Sequence, residues 1–368
     1  SSKHTSIAIL ASGDPLFYGI GAWFGRNFAS EQLHFYPAVS SIQAACHELG
    51  LSLQDVDVLS LHGRPLEKIR SHLKRKQTLV ILTDKNSVPQ ALAKECVNAG
   101  FGQSTITVCE SMGYEQQKVR QFVASDLVND LVNDSANATL EFAALHVSVI
   151  QTKGAGRQRP EFPGIADEWF ITDGVAGKGM ITKREVRLNI LSLLQPANGD
   201  VIWDIGAGCG SVAVELAYWN ARCEVHAIEH HPERLQCLNA NREKFGVLAN
   251  LHSVNGRAPT VLADLPAPNK VFIGGSDGEL RQLLDRVWQQ LPLGGMLVAS
   301  SVMETSKQVL LQFLQTRDQQ QDALSETSQI AISKGSTLAG QLLYRPALPV
   351  TLFKYVKQGQ LSGATLDV

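Results

Sequence analysis

The sequence predicts an α/β protein of two domains, and three observations predict it. Apolar strand-like runs alternate with helical stretches in both halves of the chain. A seam rich in glycine, proline and basic residues, Gln151 to Pro163, has no apolar period and separates those halves. The run Val201-Ile-Trp-Asp-Ile-Gly-Ala-Gly-Cys-Gly-Ser211 reads as a strand, a tight glycine turn and a helix start. That arrangement brings backbone N–H groups against a ligand at the carboxyl end of a strand. With 368 residues the chain exceeds one ordinary domain. The expected bounds are a domain over 1–150, a linker over 151–163 and a second domain over 164–368.

Each element follows in order. Strands are expected at Ser6 to Leu10, Val56 to Leu61, Thr78 to Thr83, Thr105 to Glu110 and Leu145 to Ile150, with helices at Ser41 to Glu48 and Val88 to Asn98. Asp126 to Asn137, a run of Asn, Asp and Ser, reads as a surface loop or helix end. After the seam, a helix is expected at Lys183 to Leu193 and strands at 201–205, 224–229, 251–254, 270–274 and 296–300. Ala323 to Ile332 and Pro349 to Tyr355 flank a glycine-containing turn and read as an antiparallel closing hairpin.

Composition narrows the class. A hydrophobic content of 44% and a charged content of 18% describe a globular chain with ample core. The formal net charge of −2 gives no electrostatic reason to expect nucleic acid or an anionic membrane as partner. No apolar run is long enough to span a bilayer, and Ser1 to Ile7 lacks the apolar core of a signal peptide. The six cysteines form no Cys-x-x-Cys pair, so reduced thiols in a cytoplasm are expected, and no metal site.

The second half carries the chemistry. Gly206, Gly208 and Gly210 are spaced Gly-x-Gly-x-Gly, with Ser211 opening the helix and Asp204 just before the turn. The next apolar strand, Glu224 to Glu229, ends in a carboxylate placed to take both hydroxyls of a ribose. This combination favours S-adenosylmethionine (SAM) over a dinucleotide, whose turn is Gly-x-Gly-x-x-Gly. Thr182 followed by Glu185 is a capping-box pattern, and the Thr182 hydroxyl is also a candidate cofactor contact. Gly256, Arg257 and Ala258, after the third strand, are candidates for the adenine face. Gly274, Gly275 and Ser276 end the fourth strand; three glycines in five positions exceed the needs of a turn and suit a carboxylate-bearing substrate. Methyl transfer from a sulfonium needs alignment more than acid–base help. Tyr218, His226, His230 and His231 are each as well explained by packing, so no catalytic residue is assigned.

Together these motifs resemble the decarboxylating half of the precorrin-6Y C5,15-methyltransferases, enzymes of corrin ring synthesis. The resemblance rests on Gly164-Ile-Ala-Asp-Glu-Trp-Phe170, Met180-Ile-Thr-Lys-Arg-Glu-Val-Arg187, Asp204 to Val212, Ala227-Ile-Glu229, Ala258-Pro259 and Phe272-Ile-Gly-Gly-Ser276. It implies a Rossmann-like, class I SAM-dependent domain that methylates C15 and removes carbon dioxide from the ring C acetate. Where the family often has a longer run after Gly179, this chain has Gly174 to Gly179, which reads as a flexible approach to the helix.

The first half resembles the tetrapyrrole methylases through Leu10-Ala-Ser-Gly-Asp-Pro-Leu-Phe-Tyr-Gly-Ile-Gly21, Pro37-Ala-Val-Ser-Ser-Ile-Gln43, Ser60-Leu-His-Gly-Arg-Pro65, Leu82-Thr-Asp84 and Cys109-Glu-Ser-Met-Gly-Tyr114. Ala38 replaces the family's usual glycine. The resemblance implies a C5-methylating domain in which Gly13 and Asp14 lie along a second SAM. Asp14 by itself reads as a helix cap. The family places a strand and a long loop ahead of Gly13-Asp14-Pro15, so the first domain is expected to be partial and N-terminally truncated, and the C15 step is the firmer expectation. By the same resemblance the partners are a small-molecule tetrapyrrole, with or without cobalt, and further copies of the chain in a tetramer. The competing reading is a SAM-dependent methyltransferase acting on RNA or protein, with the first half an inert scaffold. The lack of net basic charge and of an Asn-Pro-Pro-Tyr type loop counts against it.

Overall fold

The computed structural model of the chain describes residues 6–132, 140–156, 160–175 and 179–359. It divides into two units, Ser1–Arg159 and Pro160–Val368. Positions 157–159 of the expected linker and 176–178 of the expected flexible approach lie outside the described residues.

The first unit runs α1 (Gly21–Asn27), α2 (Ser41–Glu48), β1 (Asp57–Ser60), β2 (Thr78–Leu82), α3 (Pro89–Asn98), β3 (Thr105–Glu110), β4 (Lys118–Val123), α4 (Ala124–Val132) and β5 (His146–Gln151). Its sheet has the order β1-β2-β5-β3-β4, with β1 and β2 parallel and the other pairs antiparallel. Alternation along the strands sends Ile81, Ile106, Val108 and Ile150 to one core and Val80, Cys109, Val147 and Val149 to the other. α2 starts where the Ser40 hydroxyl accepts the Gln43 N–H and the Gln43 side chain accepts the Ser40 N–H. That reciprocal pair is a capping box.

One expectation for this unit needs correction, and one strand was missed. Ser6 to Leu10 forms no strand: no strand of the described sheet runs beside it, and Leu10 is 98% exposed. A strand needs a neighbour for its backbone and cover for its apolar face; this segment has neither. β4 was not foreseen, because Lys118-Val-Arg-Gln-Phe-Val123 alternates weakly at an edge. It is held by Arg120, whose fork pairs with both oxygens of Glu110 on β3. Of the two expectations for Asp126 to Asn137, a surface loop or a helix end, the described part is the end of helix α4 as far as Val132, anchored by buried Leu127, and positions 133–137 lie outside the described residues.

The second unit runs α5 (Arg184–Leu194), β6 (Val201–Ile205), α6 (Ser211–Trp219), β7 (Glu224–Glu229), α7 (Pro232–Phe245), β8 (Leu251–Asn255), β9 (Lys270–Ile273), α8 (Leu280–Gln290), β10 (Met296–Ser301), α9 (Glu304–Gln320), β11 (Ala323–Ile330), β12 (Ser333–Leu338), β13 (Gln341–Pro346) and β14 (Val350–Lys357). Its sheet has the order β11-β14-β10-β9-β6-β7-β8. The five strands from β10 to β8 are parallel, and β14 and β11 are antiparallel additions. Ile202 packs into the core on one face, with α5, α6 and α7, while Trp203 and Ile205 pack into the other, with α8 and α9. The strand order reverses between β6 and β9, and ligands of open α/β sheets bind at the carboxyl ends of such neighbours.

The late pairing of β11 with β14 is antiparallel, as the pattern suggested. The connection is not a turn, however, but a separate hairpin, β12–β13, turning at Ala339-Gly340.

Candidate active site

A cavity of about 400 Å³ opens at the carboxyl ends of β6, β7 and β9. Its floor is the glycine turn after β6. Gly206 and Gly208 have φ of +71° and +58°, a region that side chains other than hydrogen rarely adopt. Space imposes the same choice: a Cβ on Gly206 would stand 2.6 Å from the Gly275 nitrogen, and one on Gly208 would meet the Met180 carbonyl. The turn is stitched down on both sides. Gly206 and Ala207 donate to the Ile228 carbonyl, each at 3.0 Å, and Cys209 donates to the Met180 carbonyl at 3.0 Å.

Glu229 ends β7 on the cavity wall, almost wholly buried. Its Oε2 accepts the Gly208 N–H at 2.9 Å, and its Oε1 accepts the N–H groups of His230 and His231 at 2.8 and 2.9 Å. One carboxylate thus fixes both the glycine turn and the loop that leads into α7. Glu229, His230 and His231 present ligand atoms within 4.8 Å of one another.

Asp204 lies beneath the turn, fully buried and off the cavity wall, and neither oxygen has a hydrogen-bonding partner of good geometry. Burial pushes its carboxyl up to about 7; the Ala213 N–H in the first turn of α6 offsets part of this and the charge of Glu229 adds to it. Gly210 and Ser211 also sit behind the wall. The Ser211 hydroxyl accepts the Thr182 N–H at 3.1 Å and so positions that residue.

Thr182 is on the wall, but it does not cap a helix. α5 begins at Arg184 with Lys183 as its N-cap, and the Arg184 N–H is taken at 3.0 Å by Asp167, far back in the chain. With its cap supplied remotely, Glu185 is left to pair with Lys334 at 3.2 Å. The Thr182 carbonyl accepts from Arg187 at 2.5 Å.

Gly256, Arg257 and Ala258 line the cavity, and Arg257 crosses to the loop after β9, donating to the Asp277 carbonyl at 3.0 Å. Gly274, Gly275 and Ser276 line it too. The N–H groups of Gly274 and Gly275 are directed at the Ile205 carbonyl, at 2.9 and 3.4 Å, so those two donors serve β6 rather than a substrate.

Several wall residues had no role assigned from the sequence. Arg234 in the first turn of α7 lines the cavity and pairs with Asp173 at 3.2 Å. Asp173 also accepts the Met180 N–H at 2.8 Å, which lays the lead-in segment across the glycine turn. His230 and His231 line the cavity, and His230 reaches Asp277 at 3.4 Å. Tyr218 and His226 do not: Tyr218 donates to the Pro160 carbonyl, and His226 bonds Glu224 and stacks on His252. In the first unit, Asp14 caps its own turn, accepting the N–H groups of Leu16 and Phe17 at 2.8 and 3.1 Å, while Gly13 packs against Ser40 with φ of +67°.

Comparison with known proteins agrees across the chain. A family described as "Precorrin methyltransferase domain" matches residues 169–357, and one described as "Tetrapyrrole (Corrin/Porphyrin) Methylases" matches residues 1–128. A Sinorhizobium sp protein, "Precorrin-6Y C(5,15)-methyltransferase [decarboxylating]", is 36% identical over 96% of this chain and 81% of its own length. A protein of the same description from Mycobacterium tuberculosis (strain CDC 1551 / Oshkosh) is 29% identical over 97% of this chain and 84% of its own. Among solved structures, a precorrin-6Y C5,15-methyltransferase from Geobacter metallireducens GS-15 is 32% identical, with a TM-score of 0.48 over 53% of this chain and 98% of that one.

Proposed function

The chain belongs to the decarboxylating precorrin-6Y C5,15-methyltransferases, SAM-dependent enzymes of corrin synthesis, and from that premise we propose that its second unit methylates C15 of precorrin-6Y, or of the cobalt counterpart, with loss of the carboxyl group of the ring C acetate as carbon dioxide. The first unit is the place for the C5 step. The observation that carries the reading is the glycine floor: Gly206 and Gly208 admit a close backbone approach that any Cβ would fill.

That cradle fits SAM, which supplies a methyl group on a sulfonium when bound. Glu229 would hold the ribose, the turn Gly206 to Gly208 the methionine end, Thr182 the approach from α5, and Gly256 to Ala258 the adenine side. Gly274 to Ser276 would face the macrocycle, with the Ser276 side of the loop taking its carboxylates. Decarboxylation leaves an electron pair that the conjugated macrocycle accepts, so the protein's part is to position the acetate and exclude water.

Among the described residues no helix is long and apolar enough to cross a membrane. All six cysteines are free, which suits a reducing cytoplasm. Self-association, a tetramer by family likeness, is supported by Leu338, Leu342 and Tyr344, exposed on β12–β13. Light scattering on the eluting protein is expected to give more than one chain per particle.

The deciding experiment incubates the chain with SAM and precorrin-6Y and weighs the product. One methyl gained with carbon dioxide lost establishes the second unit's reaction; two methyls with that loss establish both. An unchanged macrocycle with SAM bound transfers the case to the RNA or protein substrate. Glu229→Gln is expected to raise the Kd for SAM about tenfold, by removing a charge-assisted hydrogen bond; an unchanged Kd by calorimetry would remove Glu229 from the site.

A further inference from the structure

Asp204 is a buried acid with an unusual set of neighbours. It stands one residue from the cavity wall, since Ile205 and Gly206 both line the cavity. It is wholly buried, and no partner of good geometry satisfies either oxygen. A buried carboxylate in that condition is costly, and the neutral acid is the form that burial favours.

The charges around it are few. β7 contributes Glu229, a second carboxylate across the turn. β9 sets uncharged Phe272 opposite Asp204 in the sheet. α6 presents the N–H groups of its first turn, whose positive end favours an anion. One turn further on, Glu215 is matched by Arg187 of α5 at 2.6 Å. Within the turn, burial pushes the Cys209 thiol up to about 12, so it stays neutral. Beyond the turn, Asp173 is matched by Arg234.

We propose that Asp204 makes cofactor binding proton-linked: the neutral acid under the glycine turn releases its proton to solvent when a cation occupies the cavity, and the buried carboxylate so formed favours the sulfonium over its uncharged thioether product. The inference rests on the reading of this cavity as the SAM seat. Asp204 does not touch the ligand; it is a positioning residue that acts through the field it sets beneath the turn. The same field helps the product leave, because transfer of the methyl group removes the positive charge that held the proton off.

Burial raises the Asp204 carboxyl well above the usual carboxylate range, to about 7, so a proton is there to be released near neutral pH. A cation that lowers this by one unit gains at most tenfold in affinity, realised as pH rises through that value. The sulfonium makes the amine of SAM more acidic than that of the thioether product, S-adenosylhomocysteine, so the Asp204→Asn protein with the same ligand is the control for the ligand's own amine titration.

The test is calorimetry of the full chain with SAM and with S-adenosylhomocysteine, from about pH 6 to pH 8, in two buffers of different ionisation heat. Proton release on SAM binding is expected, with SAM affinity rising toward tenfold across that range and product affinity changing less than about twofold. Asp204→Asn is expected to abolish the release, flatten the SAM profile and narrow the preference for SAM over product. Binding of SAM by the unaltered protein without proton release would overturn the proposal, whether or not the variant folds. So would an Asp204→Asn protein that keeps the release. Failure of both ligands to bind would instead overturn the cofactor reading.

Discussion

Arg187→Met is expected to destabilise the second unit by about 3–5 kcal/mol, the usual cost of leaving buried partners of an ion pair uncompensated. Arg187 is wholly buried. Its Nε donates to Glu215 at 2.6 Å, its Nη1 to Asp167 at 3.1 Å and to the Thr182 carbonyl at 2.5 Å, and its Nη2 to the Ile165 carbonyl. The guanidinium also lies 4.8 Å over the Phe170 ring. Methionine keeps the volume of the stem but strands two carboxylates. Glu215 would retain the N–H groups of Gly164 and Ile165 and the Trp219 indole, and Asp167 the Arg184 N–H. Arg187→Lys keeps the charge without the planar fork and is expected to fall between the two. Urea unfolding followed by tryptophan emission measures the loss, and equal stability of all three proteins would show the triad to be idle. Because Arg187 also holds the Thr182 carbonyl, the methionine variant is expected to bind SAM more weakly even below its melting temperature.

Gly206→Ala is expected to lower methyl transfer by about 100-fold, through displacement of the reacting groups by roughly an ångström. The added Cβ would stand 2.6 and 2.7 Å from the nitrogen and oxygen of Gly275. Backbone cannot swing aside as a side chain does, so the loops after β6 and β9 must part, and the cavity between them changes shape. Gly199→Ala is the control. Gly199 has a similar φ of +86° but open space around its Cβ position, so it bears the strain without the collision. Equal activity of the two variants would show that cavity shape is not what Gly206 protects.

Much of this site was legible in the sequence because its signals are local. The spacing of Gly206, Gly208 and Gly210, the strand before them and the carboxylate at Glu229 all follow from a strand–turn–helix unit and its neighbour. Where the cause is distant, local reading failed. Thr182 and Glu185 have the spacing of a capping box, yet Asp167 caps α5 from 17 residues upstream. Asp173 and Arg234 lie 61 residues apart and meet only once α7 has folded against the lead-in segment. The apolar run at Ser6 to Leu10 has the pattern of a strand but could not supply the neighbour that a strand requires. β4 was hidden for the opposite reason, since its neighbour β3 supplies what its own composition lacks.

The place of β14 in the second sheet bears on how the protein is born. Among the described residues it is the last strand in chain order, yet it lies between β10 and β11, and β11 pairs with it along its whole length. Ribosomes release about 5–20 residues each second, so the parallel strands from β6 to β10 can associate while the rest is still being made. β11 cannot dock until Val350 to Lys357 has left the exit tunnel. Until then β10 presents an open edge, the feature on which nascent chains stick to one another. Folding of this unit therefore waits on β14, and the interval before β14 arrives is when a chaperone matters most.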